Sequence, residues 1–336
     1  MTRALKHFKE LVSRGLFVGV FITTFPITRR FISYDYLFFT YAATSEDSDK
    51  YGPAWFRNLF PPMVPIGWIS RGGEIGRGLV LGTTLNAGKF EDRKMAESLK
   101  DLLLSFLRKT GAKSISLGGR LPSVLTAAGI DLDPPFVYGK FGTVYILQLS
   151  IRHFVEKKGL VPKQTVVGIL GIGFIGSALA CFLADHYKQV VAVDIRKSSR
   201  DEWPEKVIYT TDASKLQTCD IVVILTARGD DAESAISQLK QDVLVLDDAH
   251  PQLSAPLISR IRNEKKGEVY KAAVRAPGVR FIQRLPGFNP EWLPGCAIEA
   301  MVAARFGNSY KTQAEFNDLG DRLGFEPLEI FHRKKK

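Results

Sequence analysis

The chain has 336 residues, 45% hydrophobic and 24% charged, with a formal net charge of +11. That length supports two or three units with substantial cores, and that composition is ordinary for a soluble globular protein, which excludes a disordered or low-complexity chain. Three cysteines, Cys181, Cys219 and Cys296, are too few and too scattered for a disulfide framework and fit a reducing, cytoplasmic compartment. The positive charge fits nucleic acid, weak association with a membrane surface, an acidic protein partner, or simple solubility. No zinc-ligand spacing or aromatic ribonucleoprotein signature is present, so no nucleic-acid partner is expected. No metal-ligand cluster is read either.

In chain order, the first feature is the apolar run from Gly15 to Pro26. It is too short to span a bilayer, so no transmembrane segment is expected, and it reads as a buried strand. The remainder of the first sixty or so residues mixes short apolar runs with Pro, Gly and aromatics and gives no clear element. Arg77 to Gly82 reads as a strand. Asp92 to Lys109 reads as a helix with Met95, Leu99, Leu102, Leu103 and Phe106 on one face. Ser114 to Gly119 reads as a strand ending in a glycine turn, and Gly142 to Lys157 as a second helix stopped by Gly159 and Pro162. These elements make residues 1–160 an N-terminal α/β domain for substrate.

A new pattern begins at Thr165. Thr165 to Leu170 is an apolar strand, Gly171-Ile-Gly173-Phe-Ile-Gly176 follows without a gap, and a helix runs to about Tyr187. Gln189 to Asp194, Ile221 to Leu225 and Val243 to Asp247 are later strands. Strands alternating with helices predict a Rossmann-type doubly wound parallel sheet over 161–285. Residues 286–336 turn through prolines and glycine and then read as a C-terminal helical segment, with helices over about 296–306 and 311–324. The fold class is therefore α/β.

The glycine triplet stands in its full context, which points to a bound dinucleotide, NADPH or NADH. Gly171 permits the tight turn, Gly173 the close approach of a pyrophosphate, and Gly176 the packing of helix on strand. The helix start at Phe174, Ile175 and Gly176 offers N–H groups to phosphate. Asp194, at the tip of the next strand, suits the ribose hydroxyls of NAD; Arg196 and Lys197 just beyond suit the extra phosphate of NADP or a solvated loop. Thr226 and Ala227, after a later strand, are expected to border the nicotinamide.

Cys296 follows Pro294 and Gly295 and opens a helix, where helix-end amides favour a thiolate. It is the candidate nucleophile. Cys181 and Cys219 read as packing residues. His250, just past the Val243 to Asp247 strand, is a candidate proton donor or a plain turn residue. Glu299, one turn beyond Cys296, is placed to orient or protonate a neighbouring group, or to serve the helix dipole or a salt bridge.

Several segments recur in one order: Ile115-Ser-Leu-Gly-Gly119, Gly139-x-x-x-Thr143-x-Tyr145, the glycine fingerprint, Val245-Leu-Asp247-x-x-x-Pro251, Cys296-x-x-Glu299-Ala-Met301 and Gly324-Phe-x-Pro-Leu328. With them the chain resembles the cyanobacterial long-chain acyl-acyl-carrier-protein reductases, from about Gly76 to Pro327. The resemblance implies an oxidoreductase of fatty acid metabolism. Cys296 would take the acyl group from acyl carrier protein or acyl-CoA as a thioester, and hydride would release an aldehyde. A basic rim would then steer the acidic carrier. This chain departs from the family at Lys140, Phe141 and Gly142, where the family carries Asn and His, and at Asp194, where it has no acid. The competing readings are a shikimate-like or hydroxy-acid dehydrogenase without covalent catalysis, and a non-catalytic dinucleotide-binding protein. The dehydrogenase needs a Lys–Asp or Arg–His pair facing the nicotinamide, and the sequence shows no convincing candidate.

Overall fold

Tyr36–Ala42 is apolar or aromatic at nearly every position and buried over most of its length, the pattern of a strand covered on both faces. It forms β1, the central strand of a five-stranded sheet in the computed structural model, which describes residues 19–20, 23–28, 31–42, 63–196, 202–282 and 289–331. The chain packs as two units, residues 1–142 with 275–325, and residues 143–274 with 326–336.

In the first unit, β2 (Met63–Ile69) and β3 (Gly78–Asn86) are followed by helix α1 (Arg93–Thr110), β4 (Ser114–Leu117), α2 (Leu121–Ala127) and β5 (Phe136–Val137). The sheet order is β2-β3-β1-β4-β5, with only β2 antiparallel to its neighbour. Asp92 caps α1 by accepting the Met95 amide at 3.0 Å, and Gly111 ends it with a positive φ of 71°. The buried stripe of α1 is Ala96, Leu99 and Leu103, packed against Leu37, Leu79 and Ile115; Met95 and Leu102, expected on that face, lie at its exposed margins. Helix α3 (Lys140–Lys157) begins in this unit.

The apolar run near the N-terminus is corrected. Its described residues, Gly19, Val20 and Thr23 to Pro26, are helical rather than a strand. The Thr23 and Thr24 hydroxyls donate to the Gly19 and Val20 carbonyls at 3.0 and 2.7 Å, four residues back. A continuous apolar run carries no periodicity, so strand and helix look alike in it. Among the described residues no helix is long and apolar enough to cross a membrane.

The second unit contains β6 (Val166–Leu170), α4 (Phe174–Ala184), β7 (Gln189–Val193), β8 (Val207–Thr210), β9 (Ile221–Ile224), α5 (Glu233–Ile236), β10 (Leu244–Asp247), α6 (Ala255–Glu264) and β11 (Glu268–Lys271). The order β8-β7-β6-β9-β10-β11 is parallel throughout, and β12 (Ile330–Phe331) adds an antiparallel edge. The chain winds outward from β6, then returns beside it at β9, so the unit is doubly wound with its switch point between β6 and β9. Glu329, before β12, pairs with His153 at 2.9 Å and with Lys157, fixing the returning segment on α3.

Helices α7 (Gly295–Phe306) and α8 (Gln313–Arg322) close the first unit, so residues 286–336, read as one segment in the sequence, divide between the two units. Thr312 and Glu315 form the capping box of α8. Helix α7 lies on β4 and β1, and two buried hydroxyls fix it there. Ser114 donates to the Ala300 carbonyl at 2.8 Å and Ser116 to the Cys296 carbonyl at 2.6 Å.

Candidate functional site

The glycine turn lies at the switch point of the second unit. Gly171 has a φ of +100°, and a Cβ there would stand 2.7 Å from the Leu225 carbonyl and 2.8 Å from the Thr226 nitrogen. A Cβ on Gly176 would stand 2.1 Å from the Gly171 oxygen. These two glycines are required by the protein's own packing. Gly173 is different: a Cβ there meets no protein atom within 4 Å. The open space above Gly173 is the cradle a side chain would fill, and it faces the start of α4. The first bond of α4 runs from the Ser177 amide to the Gly173 carbonyl at 2.9 Å, so the amides of Phe174, Ile175 and Gly176 have no carbonyl of their own helix to take them. A dinucleotide pyrophosphate fits this turn by shape, donor set and helix dipole. The residues present therefore suit NADH or NADPH.

Asp194 follows β7 and is nearly buried. Its carboxylate accepts the Ile172 amide at 2.7 Å and the Arg196 amide at 3.0 Å, so it braces the glycine turn. The Arg196 side chain is exposed and its Nε is 3.7 Å from Asp194. Thr226 and Ala227 follow β9 beside Gly171, and the Thr226 hydroxyl donates to the Arg228 carbonyl at 2.7 Å. The Arg228 side chain is exposed. His250 is exposed in the loop after β10.

That loop is organised by two acids. Asp247, fully buried, accepts the Ala249 amide at 3.1 Å and the Leu253 amide at 2.8 Å. Burial pushes its carboxyl up to about 6 against those bonds and the Lys271 charge. Asp248 donates its amide to the Ile224 carbonyl at 3.1 Å, and burial pushes its carboxyl up to about 7 against the Lys271 charge. Lys271 is held below the ordinary lysine range by burial, opposed by Asp248 and Asp247. The register places Lys271 directly opposite Asp247 at the carboxyl ends of β11 and β10. Asp248 and Lys271 were not singled out from the sequence. The legible signal was a single charge, Lys271, inside the otherwise uncharged Val269 to Val274 stretch.

Cys296, in the first unit, is half-buried in the opening turn of α7, as its position after Pro294 and Gly295 implied. A Cβ on Gly139 would stand 2.9 Å from the Cys296 Cβ, and the Tyr41 phenol lies near enough to feel the thiol's charge. Glu299 turns to the start of α3. It accepts the Gly142 amide at 2.9 Å, and the Gly139 and Phe141 amides also hold its charge. Burial is the larger influence and raises its carboxyl. The Glu299 carboxylate thus sits against the amides at the start of α3. Cys219 is buried and its thiol is pushed up to about 12.

No family model matches this chain, and no curated protein matches it. Among solved structures it is similar to a D-isomer specific 2-hydroxyacid dehydrogenase from Xanthobacter autotrophicus, at 18% identity over 40% of this chain and 65% of that one, with a TM-score of 0.30. It is also similar to D-lactate dehydrogenase from Lactobacillus jensenii (13% identity, 70% and 78% covered, TM-score 0.34) and to a Granulicella formate dehydrogenase (15%, 64% and 65%, 0.35). The chain spans less than two thirds of the Xanthobacter and Granulicella proteins. Likenesses this distant assign none of those activities to it. They do correct the resemblance to acyl-acyl-carrier-protein reductases, because these neighbours lie in a different branch of Rossmann enzymes. Short segments in a shared order, several of them glycine turns and strand ends, recur wherever an α/β fold needs them. The aldehyde product and the acyl carrier protein and acyl-CoA donors rested on that resemblance and are withdrawn with it.

Proposed function

We propose that the chain is an NAD(P)H-dependent dehydrogenase that interconverts a small oxo acid and the corresponding hydroxy acid without a covalent enzyme intermediate. The observation that carries the reading is the glycine turn at the switch point, with Gly171 locked against Leu225 and Thr226 and Gly173 left open. The bound reduced dinucleotide supplies a hydride. The protein's own contribution is to hold the pyrophosphate at the start of α4, the ribose at Asp194, and the substrate beside the carboxyl ends of β9 and β10, where ligands of doubly wound sheets bind. Arg228, exposed just after β9, provides a cation for the substrate carboxylate. His250 borders the same loop cluster. The reading assigns Cys296 no covalent step, and the free cysteines accord with a cytoplasmic location.

Fluorescence titration with NADH and NADPH, followed by absorbance assays with pyruvate, glyoxylate, hydroxypyruvate and 2-oxoisocaproate, tests it. Saturable dinucleotide binding and oxidation of the cofactor by at least one oxo acid are expected. Binding of neither dinucleotide would overturn the reading.

A further inference from the structure

Residues 15–28 carry no charge, with Arg14 before them and Arg29 and Arg30 after them. A helix that is apolar on every side needs cover on every side. The fold covers one. Phe25 is buried, its ring 6.0 Å from Phe106 of α1 and 6.4 Å from Tyr34. The other side is bare: Val20 is 60% exposed, Ile27 63% and Phe31 83%. A spacing of seven and then four residues returns to the same side of a helix, so these three form one face. The Ile32 amide, donating to the Thr28 carbonyl at 2.9 Å, carries the helical turn past Phe31. The Thr23 and Thr24 hydroxyls are turned back to carbonyls of their own helix, which leaves the outward face the more apolar.

Charge identifies what covers this face. Between Glu10 and Asp35 the chain has Arg14, Arg29 and Arg30 and no acid, and Asp35 itself accepts the Arg77 amide at 2.7 Å. Lys109, exposed at the end of α1, stands 6.0 Å from the Phe106 ring, and Arg108 is exposed beside it. Apolar side chains flanked by cations suit the interface of an anionic bilayer. There the apolar groups enter the boundary between headgroups and acyl chains while the cations meet lipid phosphate and carboxylate. The uncharged run, residues 15–28, is shorter than the ~20 residues a span requires, so it suits lying in the surface rather than crossing it. A second copy of the chain is a poorer cover, because two-fold pairing sets a patch against itself and opposes like charges.

We propose that Val20, Ile27 and Phe31 insert into the interfacial layer of an anionic lipid surface, and that the cations flanking them in the chain, Arg14, Arg29 and Arg30, draw them there. The site belongs to the first unit and does not rest on the dehydrogenase reading. Salt screens the attraction, so binding falls as salt rises.

The test is co-sedimentation of the full chain with vesicles of phosphatidylcholine alone and of equal parts phosphatidylcholine and phosphatidylserine, at low and raised salt. Thermal melting and size-exclusion chromatography accompany each variant. Wild type is expected to bind the phosphatidylserine vesicles at least about tenfold more tightly than phosphatidylcholine alone, and less tightly at raised salt. Ile27→Ser with Phe31→Ser is expected to melt like wild type and to lose roughly tenfold or more of that binding, since two apolar side chains no longer enter the layer. Arg29→Gln with Arg30→Gln is expected to lose about as much on phosphatidylserine vesicles and to leave binding to phosphatidylcholine unchanged. This second variant decides the case if the first does not fold. Absence of wild-type binding to phosphatidylserine vesicles, equal binding to both vesicles, or either folded variant bound within about twofold of wild type overturns the proposal. So does a dimeric wild type that becomes monomeric on Ile27→Ser with Phe31→Ser, because a second copy then covers the face.

Discussion

The Glu299 carboxylate accepts the Gly142 amide at 2.9 Å, placing a buried negative charge of one helix at the start of another. A Cβ on Gly142 would stand 2.0 Å from the Gly295 carbonyl, so no side chain is tolerated between the two helix starts. Truncation as Glu299→Ala would leave several buried amides without their acceptor. It is expected to destabilise the protein by about 2 kcal/mol or more, read as a lower urea midpoint. Because burial raises the Glu299 carboxyl, the folded state holds its proton more tightly than the unfolded state does. Its contribution to stability is therefore largest at acid pH and declines as pH rises from the ordinary glutamate value of 4.5. Glu299→Gln should flatten that decline; an unchanged pH–stability curve would contradict this account.

The three glycines of the turn should separate by phenotype. Gly171→Ala forces a strained φ of +100° and a 2.7 Å clash, so lost stability is expected. Gly173→Ala places its Cβ where no protein atom lies within 4 Å and should change stability by no more than about 0.5 kcal/mol. It should nonetheless weaken dinucleotide binding by at least about tenfold, because it fills the cradle. Thermal melting and NADH fluorescence on the two variants distinguish the roles.

On the proposed reading, Asp194 is the residue expected to set the choice between NADH and NADPH. Its charge disfavours the extra phosphate of NADP, while the exposed Arg196 is available to hold it. Replacing the acid as Asp194→Ser loses a bond to Ile172 for both cofactors alike, so the informative quantity is the ratio of the two affinities. That ratio should move toward NADPH. A ratio unchanged within twofold would remove Asp194 from cofactor selection.

The two thiols should differ sharply toward iodoacetamide. Cys219 is buried with its thiol pushed up to about 12, whereas Cys296 is half-buried at a helix start. Peptide mass spectrometry after brief alkylation near neutral pH should find Cys296 modified and Cys219 intact.

What was legible in the sequence follows from where local pattern and tertiary role coincide. The stretch from Val166 to Gly176 could be read because strand, turn glycines and helix each leave a local mark, and the switch point then follows from strand order. The opening of α7 at Cys296 was legible for the same reason, through Pro294 and Gly295. Tyr36–Ala42 was not, although it is the central strand of the first sheet: burial on both faces erases the alternation that marks a strand. The pairing of Glu299 with Gly142 spans 157 residues and has no local signature. Lys271 belongs to that class too, since only the register of β10 against β11 sets it opposite Asp247.

The most direct test of the central claim is single-turnover transfer of deuterium from nicotinamide-labelled NADH or NADPH to an oxo acid, in wild type and in Cys296→Ala. The account predicts labelled hydroxy acid from both proteins at rates within about threefold, because no acyl-enzyme is formed. Loss of transfer in a folded Cys296→Ala, together with a covalent adduct on Cys296 in the wild type, would contradict it.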